Sequence, residues 1–355
     1  MRFADLLSAY VKEETISEEI DNNIIEIAKS QSLLPLLYPI TTNPKFKAYY
    51  ISGALDDERF RNLKDFVTDL FDKNNIAHLY VKGAIIQEFY PDSAIRTRGD
   101  VDVLVKEDDL SRARIILENN GFCEDKDSDC AHHIGYFKDG IELELHFRLW
   151  EDADGKEIGK VYNNAFAYSN IYKDMEYKMD DTYHFVFAIA HFARHLRYGA
   201  GLRYMLDFYY MMKKTNIDKE LLHRLLKKFD LLILYNNILN VIDVMFDFKY
   251  EDYMKKDINY FIDYMSSYGI HGNYHNDTHQ TSVRKHKFRH FLNRVFLLDK
   301  AYRISRFPKM GKHWYLYPLC IILHTLYLIF NKLPKFFILL FKSNNRKKLY
   351  KDLGI

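Results

Sequence analysis

Asp100 and Asp102 stand two residues apart in the run Asp100-Val101-Asp102-Val103-Leu104-Val105. Strict alternation of polar and apolar residues predicts a half-buried strand. Side chains two apart on a strand share a face, so the two carboxylates project together while Val101, Val103 and Val105 face a core. The plain alternative is a solvated strand face. Yet paired carboxylates repel, and packing does not require them. A divalent cation neutralises such a pair, and Mg²⁺ takes one or two carboxylates plus phosphate oxygens. On repulsion alone, removing one aspartate without metal should be neutral or mildly stabilising. A second acidic strand follows at Ile141 to Leu149. Its apolar face is Ile141, Leu143, Leu145, Phe147 and Leu149; its polar face is Glu142, Glu144, His146 and Arg148. Either Glu142 or Glu144 supplies a third carboxylate, and the spacing does not choose.

The surrounding residues read as the elements that position these acids. His78 to Val81 is a short apolar strand closed by Lys82-Gly83. Ala84 to Tyr90 has helical spacing and stops at Pro91. Asp108 to Asn119 is a helix with Leu110, Ala113, Ile116 and Leu117 inward, ended by Gly121. Glu124 to Asp129 is a charged loop. His132 to Phe137 is a strand, and Asp139-Gly140 is a strong hairpin turn into the second acidic strand. Upstream, residues 1–75 read as helices. Thr15 and Glu18 are spaced as a capping box, and Ile20, Ile24 and Ile27 share a face. Gln31 to Ile40 is an apolar turn. Asp56 to Lys73 is amphipathic through Phe60, Leu63, Val67, Leu70 and Phe71.

Taken together, Lys82-Gly83, Tyr90-Pro91-Asp92, Arg96, Asp100 to Val105 and Leu143-Glu144-Leu145-His146-Phe147 resemble a bacterial nucleotidyltransferase-like group. That group lies within the superfamily that includes DNA polymerase β. The resemblance spans Leu79 to Leu149. The family's usual turn is Gly-Ser or Gly-Gly, whereas Ala84 follows Gly83 here, and the gap from Gly83 to Asp100 is longer than in the smallest members. The resemblance implies an α+β fold: a small mixed sheet of polymerase β type flanked by N-terminal and C-terminal helical regions. It picks Glu144, two residues before His146, as the third acid. Asp100, Asp102 and Glu144 are then the catalytic carboxylates and the ligands of two Mg²⁺ ions. Gly83 would let the backbone approach the phosphates. Lys82 and Arg96 are the phosphate cations, with Arg98 as a spare. The implied activity is transfer of a nucleoside monophosphate from an NTP, with ATP expected, to a hydroxyl on a small molecule, a protein or an RNA end. The other reading is a catalytically silent nucleotide-binding or adaptor protein that docks through a basic tail.

The chain divides into an N-terminal helical region (1–75), a nucleotidyltransferase core (76–155), a helical domain closing the nucleotide cleft (156–280) and a C-terminal segment (281–355). In the third unit, Thr182 to Lys213 reads as one long periodic stretch. His191 and His195 share a face there, and the resembled group carries such a His-x-x-x-His helix followed by an aspartate, here Asp207; Arg203 and Asp207 are most simply an i,i+4 ion pair, with lining the nucleotide cleft as the functional alternative. The two histidines read as core or groove residues, since no acid sits between them as a zinc hydrolase requires. Cys123, Cys130, His132 and His133 match no common zinc spacing, and the histidine-rich run at 271–279 reads as an exposed loop.

The 355 residues carry 51 Lys and Arg against 49 Asp and Glu, a net charge of +2, unevenly spread. From Thr281 onward, 17 basic residues face only Asp299 and Asp352, about +15; the rest is about −13. Such a tail suits an anionic membrane surface, with nucleic acid the lesser fit because residues 314–341 are strongly apolar. A buried helix pair broken at Pro334 is the first reading of that run, an interfacial helix the second and a membrane span the third. With 14 Gly, 7 Pro, 28 Tyr and 26 Phe the chain favours helices and a large core. Three cysteines without a framework and a start lacking a long apolar segment suit a cytoplasmic protein, peripheral to the membrane if the tail docks there.

Overall fold

The computed structural model describes residues 2–125, 132–151, 155–196, 199–269, 307, 310 and 313–331. The run at 271–279, Cys130 and most of the basic segment lie outside the described residues. Helices α1 (Phe3–Val11), α2 (Asn22–Ser30), α3 (Leu37–Thr41) and α4 (Lys47–Lys73) precede the sheet. Strand β1 (His78–Val81) leads through α5 (Gly83–Ile86) to β2 (Asp100–Val105) and α6 (Leu110–Asn119). Strands β3 (Cys123–Glu124), β4 (His133–Lys138) and β5 (Ile141–His146) follow, then α7 (Lys156–Tyr162), β6 (Ser169–Lys173) and β7 (Glu176–Met179). The remaining described helices are α8 (Asp181–Leu196), α9 (Arg203–Lys214), α10 (Lys219–Lys228), α11 (Leu232–Phe246), α12 (Asn259–Ser266) and α13 (Tyr317–Asn331). The result is an α+β fold, a mixed sheet with helices before and after it.

The seven strands run in the order β3-β4-β5-β2-β1-β7-β6. β2 pairs parallel with β5 and antiparallel with β1. On one face of the sheet, Val101, Val103 and Val105 pack with Leu143 and Leu145 against Phe60, Val67 and Phe71 of α4 and Leu117 of α6. On the other face, Leu104 joins a larger core that includes Phe185 and Ile189 of α8, Leu206 of α9 and Ile238 of α11. β2 is therefore buried on both faces, not half-buried as the alternation predicts. Helices cover both sides of the sheet, and the face bearing the aspartates becomes a cavity wall.

At the β4–β5 hairpin, Asp139 (φ 52°) and Gly140 (φ 77°) both adopt left-handed backbone, as a tight two-residue turn demands. That turn fixes the register: His133 opposite His146, Gly135 opposite Glu144. β5 ends at His146, three residues short of the predicted Leu149.

Three further differences have local causes. No helix starts at Thr15; the Asp21 side chain caps α2 instead, accepting from the Asn23 N–H at 2.6 Å, while Ile16 N–H bonds the Ile40 carbonyl at 2.7 Å. α4 begins at Lys47, well before the predicted Asp56. The stretch from Thr182 to Lys213 is two helices. Gly199 takes φ +101°, and a Cβ on Gly201 would stand 2.6 Å from the Gln31 amide oxygen. Gly201 leaves the room that Gln31 fills, and the chain re-enters helix at Arg203. No described helix is long and apolar enough to cross a membrane.

Candidate active site

The parallel pairing of β2 with β5 sets Asp100 opposite Glu142, Asp102 opposite Glu144 and Leu104 opposite His146. Four carboxylates thus occupy one face of two adjacent strands. All four line a cavity of about 670 Å³ together with Lys82, Gly83, Arg96 and Arg98, and α8 and α9 form its far wall.

Lys82 is where β1 turns into α5, and its backbone sits at φ 54°, ψ −129°. A non-glycine residue in such a conformation is strained by about 1–3 kcal/mol and persists only where its surroundings fix it. Here the side chain supplies the reason. Its ammonium donates to Asp102 Oδ1 at 2.5 Å and to Glu144 Oε2 at 3.3 Å. His146 Nε2 approaches the same two oxygens, at 2.8 and 3.0 Å, and His133 Nε2 lies 3.3 Å from Glu144 Oε1. Asp102 and His146 are fully enclosed.

The electrostatics follow. Burial works against the Lys82 ammonium, but Asp102, Glu144 and Asp100 outweigh it and raise its pKa. Burial pushes Asp102 up to about 6, held back by Lys82. Burial also acts on Glu144, yet Lys82, His146 and His133 hold its carboxyl well below the usual range. Burial and Lys82 oppose a charge on His146, but its bonds to Asp102 and Glu144 carry it to about 9, so it is an imidazolium at neutral pH. Lys82 and His146 together offset two of the four carboxylates. Asp102 is thus ion-paired and not merely repelled by Asp100, so its removal without metal should be destabilising, where repulsion alone would make it neutral or mildly stabilising.

Two oxygens of Asp102 and Glu144 already converge on one ammonium, and that hard, oxygen-rich donor set fits a divalent cation such as Mg²⁺. Asp102, Glu144 and His146 present ligand atoms within 4.8 Å of one another. Asp100 lines the same cavity without belonging to that close group.

Arg96 is held from behind. Its Nε and Nη2 donate to Asp207 Oδ1 and Oδ2 at 2.7 and 2.9 Å, and Tyr90 O–H donates to Oδ1 at 2.6 Å. The predicted Arg203–Asp207 pair is therefore not what forms. Arg203 instead donates to the Thr97 carbonyl at 2.8 Å. A fork that matches both carboxylate oxygens outcompetes a neighbour on the same helix. Arg96 Nη1, buried and without a hydrogen-bond partner, stands 3.4 Å from where a Cβ on Gly83 would be. The guanidinium thus keeps one donor aimed at the turn. Arg98, half-buried, also lines the cavity, over the Phe60 ring and 3.6 Å from Asp57; burial lowers its pKa to about 10.

On α8, His191 and His195 place their Nε2 atoms 3.1 Å apart at the cavity wall. They are groove residues, as their spacing predicts. His184, two turns earlier, also lines the cavity, and burial depresses its pKa to about 4. Reading the sequence assigned no role to His146 or to the tie between Arg96 and Asp207. The alternation of Glu142, Glu144 and His146 already placed His146 on the acidic face. Nothing local signals Asp207, which lies 111 residues from Arg96.

The mixed sheet brings paired acids on neighbouring strands to a lysine–glycine turn. The family model described as uncharacterised nucleotidyltransferase matches residues 21–247, well over half the chain, and the chain belongs to that family. No curated protein and no solved structure matches it.

Proposed function

We propose that the protein is a Mg²⁺-dependent nucleotidyltransferase that moves a nucleoside monophosphate, with ATP as donor, onto a hydroxyl acceptor. Family membership supports nucleotidyl transfer in general. The observation that carries the finer reading is the convergence of Asp102 and Glu144 oxygens on one cation beside Asp100. These three acids would hold the metal. When bound, it would neutralise the triphosphate and acidify the acceptor hydroxyl.

The chain's own residues do the rest. The acceptor oxygen bonds to the α-phosphorus, the α–β bridging P–O bond breaks, and pyrophosphate leaves. Lys82, Gly83 and the free Nη1 of Arg96 form one wall, where a donor side chain, a close backbone and a fixed guanidinium can meet phosphate oxygens. Glu144, too acidic to retain a proton, orients the acceptor hydroxyl. Asp102, paired with Lys82 and His146 when no ion is bound, would be one of the carboxylates holding the metal. The helices α8 and α9 wall this space on its far side.

The basic segment 281–355 is assigned to an anionic lipid surface. In support, α13 exposes Leu319, Ile322, Leu323 and Leu326 along one stripe. Sedimentation with anionic vesicles, lost at high salt, tests this.

For the reaction, the full chain is incubated with labelled NTPs, Mg²⁺ and a cell extract. Labelled product and pyrophosphate should depend on Mg²⁺ and vanish in Asp102→Asn and Glu144→Gln, but survive in Glu142→Gln. Glu142→Gln being the more damaging would move the third acid to Glu142. Absence of Mg²⁺-NTP binding by calorimetry would favour the silent adaptor.

A further inference from the structure

We infer that the β4–β5 hairpin builds a second, softer metal site: His132, His133 and His146, completed by Glu144, for a single transition ion of the Zn²⁺ class. It is distinct in chemistry from the carboxylate site, though the two share His146 and Glu144.

The three imidazoles come together because of the hairpin register. His133 on β4 lies opposite His146 on β5. His132 precedes β4, where its carbonyl accepts the N–H groups of Phe147 and Arg148 at 3.1 and 3.3 Å. The ring centroids are 4.9 to 5.5 Å apart, and one nitrogen of each ring lies within 4.8 Å of the others. Zinc bonds of about 2.1 Å set nitrogens about 3.4 Å apart. The side chains need to draw in by about an ångström, which small χ rotations provide.

Two of the rings are oriented as metal-binding histidines usually are, with the far nitrogen tied to a carboxylate or carbonyl. His132 Nδ1 lies 3.3 Å from Glu151 Oε1. His146 Nδ1 lies 3.3 Å from the Arg148 carbonyl. Both arrangements engage Nδ1 and leave Nε2 toward the site, and on His146 an ion binds there as the Nε2 proton leaves. His133 Nδ1 is buried with no hydrogen-bond partner, an orphan that packing does not explain. Glu144 touches both His133 and His146, at 3.3 and 3.0 Å, and supplies an oxygen donor. Three imidazoles and one carboxylate are a tetrahedral, borderline-soft set that favours Zn²⁺ or Co²⁺ over Mg²⁺. His132 and His133 line the cavity, so an ion has a path in.

The site is tested on the metal-free full chain with Co²⁺ as a spectroscopic probe and Zn²⁺ as competitor. One equivalent of Co²⁺ should give the intense visible absorption of a tetrahedral ion, bleached by one equivalent of Zn²⁺ and untouched by excess Mg²⁺. His133→Asn and His132→Asn should weaken Zn²⁺ binding by at least ~100-fold, and Glu151→Gln, which leaves all ligands in place, by about 10-fold. Thermal melts identify any variant that fails to fold, and Glu151→Gln keeps the test decisive if a histidine variant does. A triple variant of His271, His275 and His279 to Ala should keep the full signal. The inference is overturned if Co²⁺ shows only the weak spectrum of the hydrated ion. It is equally overturned if the hairpin variants bind as tightly as the parent, or if the signal is lost with the 271–279 histidines. Because every readout is ion binding, failure here leaves the nucleotidyl-transfer reading standing, and the reverse also holds.

Discussion

Asp207→Asn changes no shape but removes the one negative charge from an enclosed cluster. Asp207 accepts two bonds from Arg96 and one from Tyr90, all between 2.6 and 2.9 Å. Arg203 adds a second positive charge nearby, enough to lower the Asp207 pKa further. Asparagine keeps a single acceptor oxygen and turns an amide donor toward guanidinium donors. Arg96 cannot shed its proton to compensate. Breaking a buried pair from one side costs about 3–5 kcal/mol, and two arginines left facing each other place this case near the upper end. Replacing both partners by apolar residues, Arg96→Met with Asp207→Leu, removes the stranded charge and should recover much of the loss. Urea denaturation in metal-free buffer at neutral pH measures all three chains. Asp207→Asn should lower the unfolding free energy by about 4 kcal/mol, with at least half restored in the double variant. The same substitution should weaken NTP binding, because the fork aims Nη1 at the Gly83 turn. A loss below about 1 kcal/mol, or a double variant no more stable than the single one, would refute the claim that this pair ties the α5–β2 connection to α9.

Gly83→Ala should leave stability within about 1 kcal/mol of the parent, since the new Cβ meets only the Arg96 Nη1 at 3.4 Å and Arg98 Cβ at 4.0 Å. It should still cut transfer at least ~10-fold by crowding the phosphates' approach; unchanged turnover would remove Gly83 from the site. Asp102→Asn should abolish transfer and, with EDTA present, destabilise the fold by about 2–3 kcal/mol, because Lys82 and His146 lose a shared charged acceptor. An unchanged or raised melting temperature would contradict that pairing. His184 has a folded pKa near 4 against 6.5 in the unfolded chain. The unfolded state therefore binds the extra proton between those values, and stability that is complete above pH 6.5 drains away as pH falls, by about 2 kcal/mol at pH 5. His184→Phe should lack that component when denaturation midpoints at pH 7.5 and 5 are compared; equal pH dependence in both chains would show that His184 is not buried neutral.

The parts of the site set by local pattern were legible in the sequence. The alternations at 100–105 and 141–149, the Asp139-Gly140 turn and the Lys82-Gly83 stop each follow from residues within reach of one another; each formed at its predicted start, though the second strand ends at His146. What local pattern misread was set by tertiary competition. The i,i+4 spacing of Arg203 and Asp207 is a real preference worth a few tenths of a kcal/mol on an exposed helix, whereas a buried two-bond fork to Arg96 is worth several times more. The apparent continuity of 182–213 failed for a similar reason. Helical periodicity persists on both sides of Gly199 and Gly201, but Gln31, remote in sequence, packs where a side chain at 201 would stand and accepts the Arg203 N–H at 3.1 Å.

Lys82 shows why the chemistry itself was only partly legible. Its place after β1 suggests a phosphate contact, and its strained backbone agrees with a functional position. Its partners, however, depend on the parallel register of β2 and β5, which no local signal fixes. In that register the ammonium rests on Asp102 and Glu144, the same oxygens assigned to Mg²⁺. One set of lone pairs cannot satisfy both cations at short range without mutual repulsion. In the proposed reaction, then, Lys82 would leave Asp102 and Glu144 free to hold the metal, and its ammonium would turn to the phosphate oxygens of the triphosphate. Mg²⁺ and nucleotide should bind with positive coupling, each tightening the other by the same factor. Lys82→Met should raise the affinity for Mg²⁺ alone while abolishing that coupling. Calorimetric titrations of each ligand, with and without the other, measure both quantities. Independent binding in the parent chain would show that Lys82 does not stand in the metal's place.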